Sequence, residues 1–500
     1  MKLTWVSLTD SLLIWGHSTA CIAQTTKRDE FYWLSQMNKA SLVINTEEGL
    51  LAKDKALLIA QGLEKVIANG NANKSQRPTL ILNYEPLLIQ ASSQDATFLH
   101  AGRSSHDMHA TYRSAILRDE LLMLMEELLK SQKILLTLAE KHSAVVVPNY
   151  TNGVAAQPNA YGHYLLGHAA GFERDAQKIR ETYKRLNRSA MGTTVLNGTS
   201  WPLNRQRMAA YLGYPEIVMN AFDAAQVSSM EHPVEIGALL IGISLHVGHM
   251  VEDIMTQYAN AYPWIMLESG NGNTYASSAM PQKKNPGLLN DTRADASSVI
   301  AMSLAPMIRA HNITPGMGDP KSSRENSAMM STAIDMLKKF NRMLSALRIN
   351  KERALEELNT DWTASQEIAD LLTRQYNVPF RISHHFASDL VDFAKSNGIK
   401  PTELKYSDAQ MIYKRSFKNE SASAELPIQP DELKAALDPE NIIKQRRTEG
   451  GPQPAEMKKM LSEFNRIQVT HETWLKAQKN FIDASLKKLD DDFAKYTTLK

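Results

Sequence analysis

A single cysteine, Cys21, stands in a chain of 500 residues. One sulfur allows no intramolecular disulfide and no thiolate metal centre. A surplus of either charge is also missing, since 56 lysines and arginines face 54 aspartates and glutamates for a net charge of +2. Without a basic excess or a long basic run there is no material for a nucleic-acid-binding face. The Lys-Lys and Arg-Arg pairs read as solvated helix faces. Beyond the N-terminal two dozen residues, no run reads as long and apolar enough to cross a bilayer, and no membrane partner is expected. Strand-like alternation is rare. What remains is an ordinary globular composition, 43% apolar and 22% charged, in a chain long enough for about two to four domains.

The first residues form a pattern of their own. Lys2 supplies a weak positive start, and an apolar stretch from Leu3 to Trp15 follows, interrupted by Asp10. Small residues then run to Ala23 before the polar Gln24-Thr25-Thr26-Lys27. This resembles a secretory signal peptide cleaved after Ala23. A periplasmic or secreted location would follow; the other reading is an N-terminal extension of a cytoplasmic protein.

Past this point the apolar residues fall at helical spacing almost throughout. Residues 29–69 read as helices. Long helices are expected over 114–141, 160–187, 233–260, 286–310 and 323–349, the first spanning about 40 Å at the rise of an α-helix. Shorter helices follow over 351–410, broken near Asn377-Val378-Pro379, and a final amphipathic helix covers 455–490. Helices of this length without intervening strands make a bundle. Met123-Leu124-Met125 and Leu239-Leu240-Ile241 are apolar in succession, so these helices must be covered on several sides. Self-association follows as an expectation. The organisation read from the sequence is a signal peptide over 1–23, an N-terminal helical domain over 24–112, a central bundle over 113–350 and a C-terminal helical domain over 351–500.

The segment Ala276-Ser277-Ser278-Ala279-Met280-Pro281-Gln282-Lys283-Lys284-Asn285-Pro286 lies between two long helices. It places hydroxyls, a cation and an amide on a loop that feeds a helix N-terminus. Those groups suit a carboxylate and the further negative charge formed when its neighbouring carbon loses a proton. A polar capping loop is the plain alternative. The string resembles G-S-S-x-M-P-x-K-x-N-P, the signature of the fumarase/aspartase superfamily, and departs from it only at Ala276. Other strings resemble the argininosuccinate lyase branch: His100 to Asp107 its H-T-G-R-S-R-N-D, Tyr150 to Pro158 its Y-T-H-L-Q-R-A-Q-P, and Gly198 to Arg205 its G-T-T-F-P-I-D-R. Leu437-Asp438-Pro439-Glu440 and Arg446-Arg447 with Gly450-Gly451 resemble its L-D-P-E and R-R-x-x-x-G-G. The likeness extends over about residues 31–465.

The resemblance implies an all-α fold with a long central helical bundle and smaller N- and C-terminal helical domains, fumarase/aspartase-like. It implies a homotetramer with shared active sites, and a carbon–nitrogen lyase that needs neither metal nor redox cofactor. The reaction implied is anti β-elimination of fumarate from a small-molecule N-succinyl amine. Ser277 matches the base; Lys283 and Asn285 match the groups that hold the carboxylate and its intermediate. Ser104, Ser105 and Thr151 are candidates for the second carboxylate, with Gln157 orienting Thr151 or the substrate. Three departures stand out. Asn152 replaces the His of the T-H step, so His106 becomes the candidate acid, beside its plain reading as a hydrogen-bonding histidine. An alkylamine leaving group, with a pKa of about 10, already carries its proton and lessens that need. Ser105 replaces an Arg. The stretch Gly316 to Glu325 lacks the Tyr and Gln that would embrace an arginine moiety. Its Lys321 and Arg324 suit a leaving group with its own carboxylate, or form a solvated basic turn. Argininosuccinate remains one candidate substrate. A catalytically silent tetrameric paralogue is the reading from another class, and fumarase, aspartase or adenylosuccinate lyase are the other branches.

Overall fold

The computed structural model describes residues 28–416 and 425–498; the signal-peptide reading of 1–23, and Cys21 with it, lies outside them. The helices are α1 (Glu30–Glu47), α2 (Lys53–Ala72), α3 (Ile81–Ala91), α4 (Ser105–Lys141), α5 (Tyr161–Leu186), α6 (Arg205–Tyr211), α7 (Ser228–Tyr258), α8 (Gly287–Ala310) and α9 (Ser323–Ala346). They continue as α10 (Lys351–Thr360), α11 (Gln366–Tyr376), α12 (Phe380–Ser396), α13 (Tyr406–Ser416), α14 (Pro430–Ala436), α15 (Pro439–Gln445) and α16 (Pro454–Thr497). Strands among the described residues form two-stranded pairs: β1 (Val146–Thr151) with β2 (Val154–Ala160), β3 (Arg188–Ser189) with β4 (Glu216–Ile217), β5 (Ile265–Leu267) with β8 (Leu347–Ile349), and β6 (Tyr275–Ala276) with β7 (Lys284–Asn285). The fold is all-α in character, as expected.

Helices α4, α5, α7, α8 and α9 pack on one another as the central bundle. Helix α4 starts nine residues before its apolar run because its first turn is closed by a capping box. Ser104 Oγ accepts from the backbone, and Asp107 returns to the Ser104 N–H. Arg118 of α4 is fully buried. Its guanidinium donates to Gly213 O at 2.7 Å and lies over the Tyr214 ring at 4.4 Å. The α6 exit is thereby fastened to the bundle. The long α16 returns along α4, α1, α2 and α5, and its Leu475, Ile482, Leu486 and Leu489 join the main core. A second core, around Leu372, Phe386, Leu390 and Tyr413, serves α11 to α14. Asn377 ends α11 in the left-handed region, with φ of 55°, and Pro379 starts the next turn.

One reading needs correction. The segment Asp223–Tyr258 is long and apolar enough to cross a membrane by length and composition. Half of that apolar window is buried within the protein, where α7 packs on α8 and α5. The rest of the bundle surface keeps large apolar side chains outside: Met123 is 51% exposed, Leu245 58% and Ile308 73%.

Candidate active site

The superfamily-like string folds as a tight excursion between α7 and α8. Strands β6 and β7 pair Tyr275 with Asn285 and Ala276 with Lys284, so that Ser277 leaves the top of a short ladder. Gly287 can close its base because a Cβ there would stand 2.9 Å from the Tyr275 ring. Ser277 Oγ accepts two backbone N–H bonds, from Ala279 at 3.3 Å and Met280 at 3.1 Å. Ser277 N donates to Lys283 O at 3.3 Å. Two N–H groups aimed at one hydroxyl oxygen favour negative charge on it. Asn285 is half-buried and donates to Tyr275 O at 3.3 Å, whereas Lys283 extends into solvent. Residues 278–284 are all exposed in the single chain.

A second group of candidates surrounds the N-terminus of α4. Ser104 is the N-cap and Ser105 opens the helix. Asp107 is buried and accepts four backbone N–H bonds, from Ser104 at 2.9 Å, Met108 at 2.9 Å, Gly192 at 2.8 Å and Thr194 at 3.2 Å. Burial outweighs them and pushes its carboxyl up to about 6. Behind it Arg103 is buried against Ser41 and Asn38, 2.9 Å from each, and burial brings its guanidinium down to about 10. His106 has other partners. Its Nδ1 lies 3.5 Å from the Gln226 side-chain nitrogen. With that amide as donor, the ring proton sits on Nε2. Burial, then the Lys321 and Arg113 charges, hold its pKa below the ordinary histidine value. Gln226 lies in a π-helical turn, Asp223–Val227, that leads into α7. It also donates to Val195 O at 2.8 Å and accepts from Gly316 N at 2.7 Å.

Thr151 and Asn152 stand at the exposed tip of the β1–β2 hairpin. Asn152 has φ of 53° and Gly153 of 76°, the pair of left-handed residues that a two-residue hairpin turn requires. On β2, Gln157 donates to the Gln366 side chain, and on β1 the Tyr150 hydroxyl donates to Glu357. In the turn before α9, Lys321 is buried and Arg324 is exposed. Within one chain His106 and the 316–321 turn come together through Gln226. Among the described residues, no hydrogen bond joins the Ser277 turn, the hairpin tip and the α4 N-terminus. The sequence reading passed over Gln226, which no motif marks. It also passed over His109 and Arg113, although their spacing from His106 puts all three on one helix face.

Known proteins share both the sequence and the architecture. Residues 19–301 match the family model described as lyase, and residues 362–444 that of the argininosuccinate lyase C-terminal region. The argininosuccinate lyase of Methanocaldococcus jannaschii is 29% identical over 457 residues, covering 90% of each chain. That of Methanococcus maripaludis strain C7 is 28% identical over 451 residues, covering 88% of this chain and 90% of the relative. The crystal structure of EDDS lyase in complex with formate superposes with a TM-score of 0.85 at 24% identity, covering 94% of this chain and 92% of that one. A fumarate lyase from Mesorhizobium sp. BNC1 gives 0.67 at 15% identity, with 87% and 96% covered. Two models matched in chain order, the second of them specific to one branch, have a single reading: the chain belongs to the lyase family of the fumarase/aspartase superfamily, in its argininosuccinate lyase branch.

Proposed function

We propose that this fumarate-releasing carbon–nitrogen lyase works by anti β-elimination on an N-succinyl amine, with Ser277 as the base. The observation that carries the role of Ser277 is the pair of N–H groups, from Ala279 and Met280, converging on its Oγ. A serine alkoxide is otherwise too costly to form near neutral pH, and such donors lower that cost. Ser277 takes the proton beside one carboxylate. Lys283 and Asn285 hold the doubly charged aci-carboxylate that results, and collapse of that species breaks the C–N bond. Ser104, Ser105 and Thr151 receive the second carboxylate, with Asn152 and Gln157 on the same hairpin as Thr151. His106, neutral with its proton on Nε2, donates a hydrogen bond to the departing nitrogen, which as an alkylamine leaves with the proton it already carries.

The openness of residues 278–284 in one chain fits a site closed by neighbouring copies. The apolar side chains that α4, α7 and α8 leave outside, among them Met123, Leu245 and Ile308, support association through the central bundle as a homotetramer. A periplasmic or secreted location rests on the pattern of residues 1–23 alone.

The test is Ser277→Ala. Mixed with fumarate and a panel of amines, the native protein consumes fumarate, read as loss of its ultraviolet absorbance. The variant is expected to lose about a hundredfold or more of that rate, while light scattering still reports the native oligomer. A variant that keeps native turnover removes Ser277 as the base. A native protein inert to every amine supports the silent paralogue instead.

A further inference from the structure

The turn before α9 holds a lysine whose stem is buried and whose ammonium keeps a small opening to solvent. Lys321 closes the short helical turn Asp319–Lys321 and is only 5% exposed. Among the described residues its ammonium group has no hydrogen bond and no ion pair. Two buried side-chain nitrogens without partners lie on α4. His106, His109 and Arg113 recur at three and four residues and so share one face of the helix. Arg113 Nε and His109 Nε2 are both buried without a partner. A Cβ on Gly316, in the approach to the Lys321 turn, would stand 4.0 Å from His106 Cε1, and the charges of Lys321 and Arg113 both act on His106. Gln226 holds the arrangement, with Nε2 toward His106 and Oε1 accepting from Gly316 of the Lys321 turn.

Asp319 shares the turn but is exposed and makes no ion pair among the described residues, and the other carboxylates are engaged elsewhere or remote. Asp107 turns its Oδ2 to Gly192 and Thr194. Glu30 reaches Arg113 only weakly, as the last of the influences on it. Glu325 pairs with Arg309 at 3.1 Å. Arg324, exposed, stands outside the cluster. An ammonium held on a buried stem at such an opening, with no counter-ion of its own, is placed to meet an anionic group of a ligand.

We infer that Lys321, with Arg113 and His109 behind it, receives an acid group of the leaving amine, so that the substrates are N-succinyl amino acids or aminocarboxylates whose acid group lies near the reacting nitrogen. The inference rests on the N-succinyl lyase reading above. It also disfavours a guanidinium at this place, because two cations already occupy its walls.

The experiment pairs amines that differ in that one group, β-alanine with propylamine and glycine with ethylamine, each added to fumarate. kcat/KM is measured for the native enzyme and for Lys321→Met, Lys321→Arg and Arg113→Gln. The native enzyme is expected to favour the acid-bearing member by about tenfold or more. Lys321→Met should erase that preference, bringing the kcat/KM ratio of the acid-bearing to the neutral amine to about one. Lys321→Arg should retain most of it, and Arg113→Gln serves if a Lys321 variant does not fold. Equal turnover of both members by the native enzyme, or equal losses on both in Lys321→Met, overturns the inference and leaves the lyase reading standing. No turnover of any amine removes both.

Discussion

Asp107 carries more of the candidate site than its place in the chain suggests. Ser104 and Asp107 stand at the spacing of a capping box, and that half of its role is legible from sequence. The other half is not, because Gly192 and Thr194 arrive from 85 and 87 residues away to fill its second oxygen. Asp107→Ala removes the acceptor for four backbone N–H groups at once. It is expected to cost about 2–4 kcal/mol, seen as a lower melting temperature, with Asp107→Asn falling between. An unchanged melting temperature would mean that water takes over those donors. Ser277 shows the same division. Its string marked it as the base, but the two N–H groups on its Oγ come from how the turn closes, which residue types alone do not specify.

At the scale of elements, periodicity located the long helices to within a few residues, because burial on several sides leaves apolar residues at every turn. The starts were less legible. Helix α4 extends back to Ser105 through His106, Asp107 and His109, polar residues held helical by the cap. The β1–β2 hairpin was missed for a specific reason. Pro148 and Pro158 stand opposite each other in its ladder, and proline in a run argues against a strand. The hairpin also gives Asn152 a backbone role that the comparison with T-H could not. Asn is among the few residues that tolerate its left-handed φ. Asn152→Ala is expected to weaken the turn by about 1 kcal/mol. Hydrogen exchange should then quicken across residues 146–160 and stay native in α4; unchanged exchange in the hairpin would show that its flanks alone set the register.

Across the molecule, burial of histidines sets how the fold answers acid. His109 on α4, His168 on α5 and His232 on α7 are each brought from the ordinary value down to about 4, chiefly by burial. Unfolded, they take up protons near 6.5; folded, they refuse them until about 4. Between those values the unfolded chain binds more protons, so stability is lost as pH falls through this window. Asp107 works in the opposite sense, since its folded carboxyl keeps its proton to about 6. Histidines held down by burial outnumber the two carboxyls it raises, Asp107 and Asp119, and predict a melting temperature that declines from pH 6.5 to 4, and His168→Gln should flatten the decline. A level profile across that range would contradict the buried-neutral assignment.

The sequence by itself determined the helical architecture, the family and the identity of the Ser277, Lys283 and Asn285 string, because periodic burial and a long fixed motif are local properties of a chain. Only the tertiary structure decided which charges go unpaired. Lys321, His106, Arg113 and Gln226 lie up to 215 residues apart in sequence, and neither spacing nor composition reveals that folding brings them together without an anion.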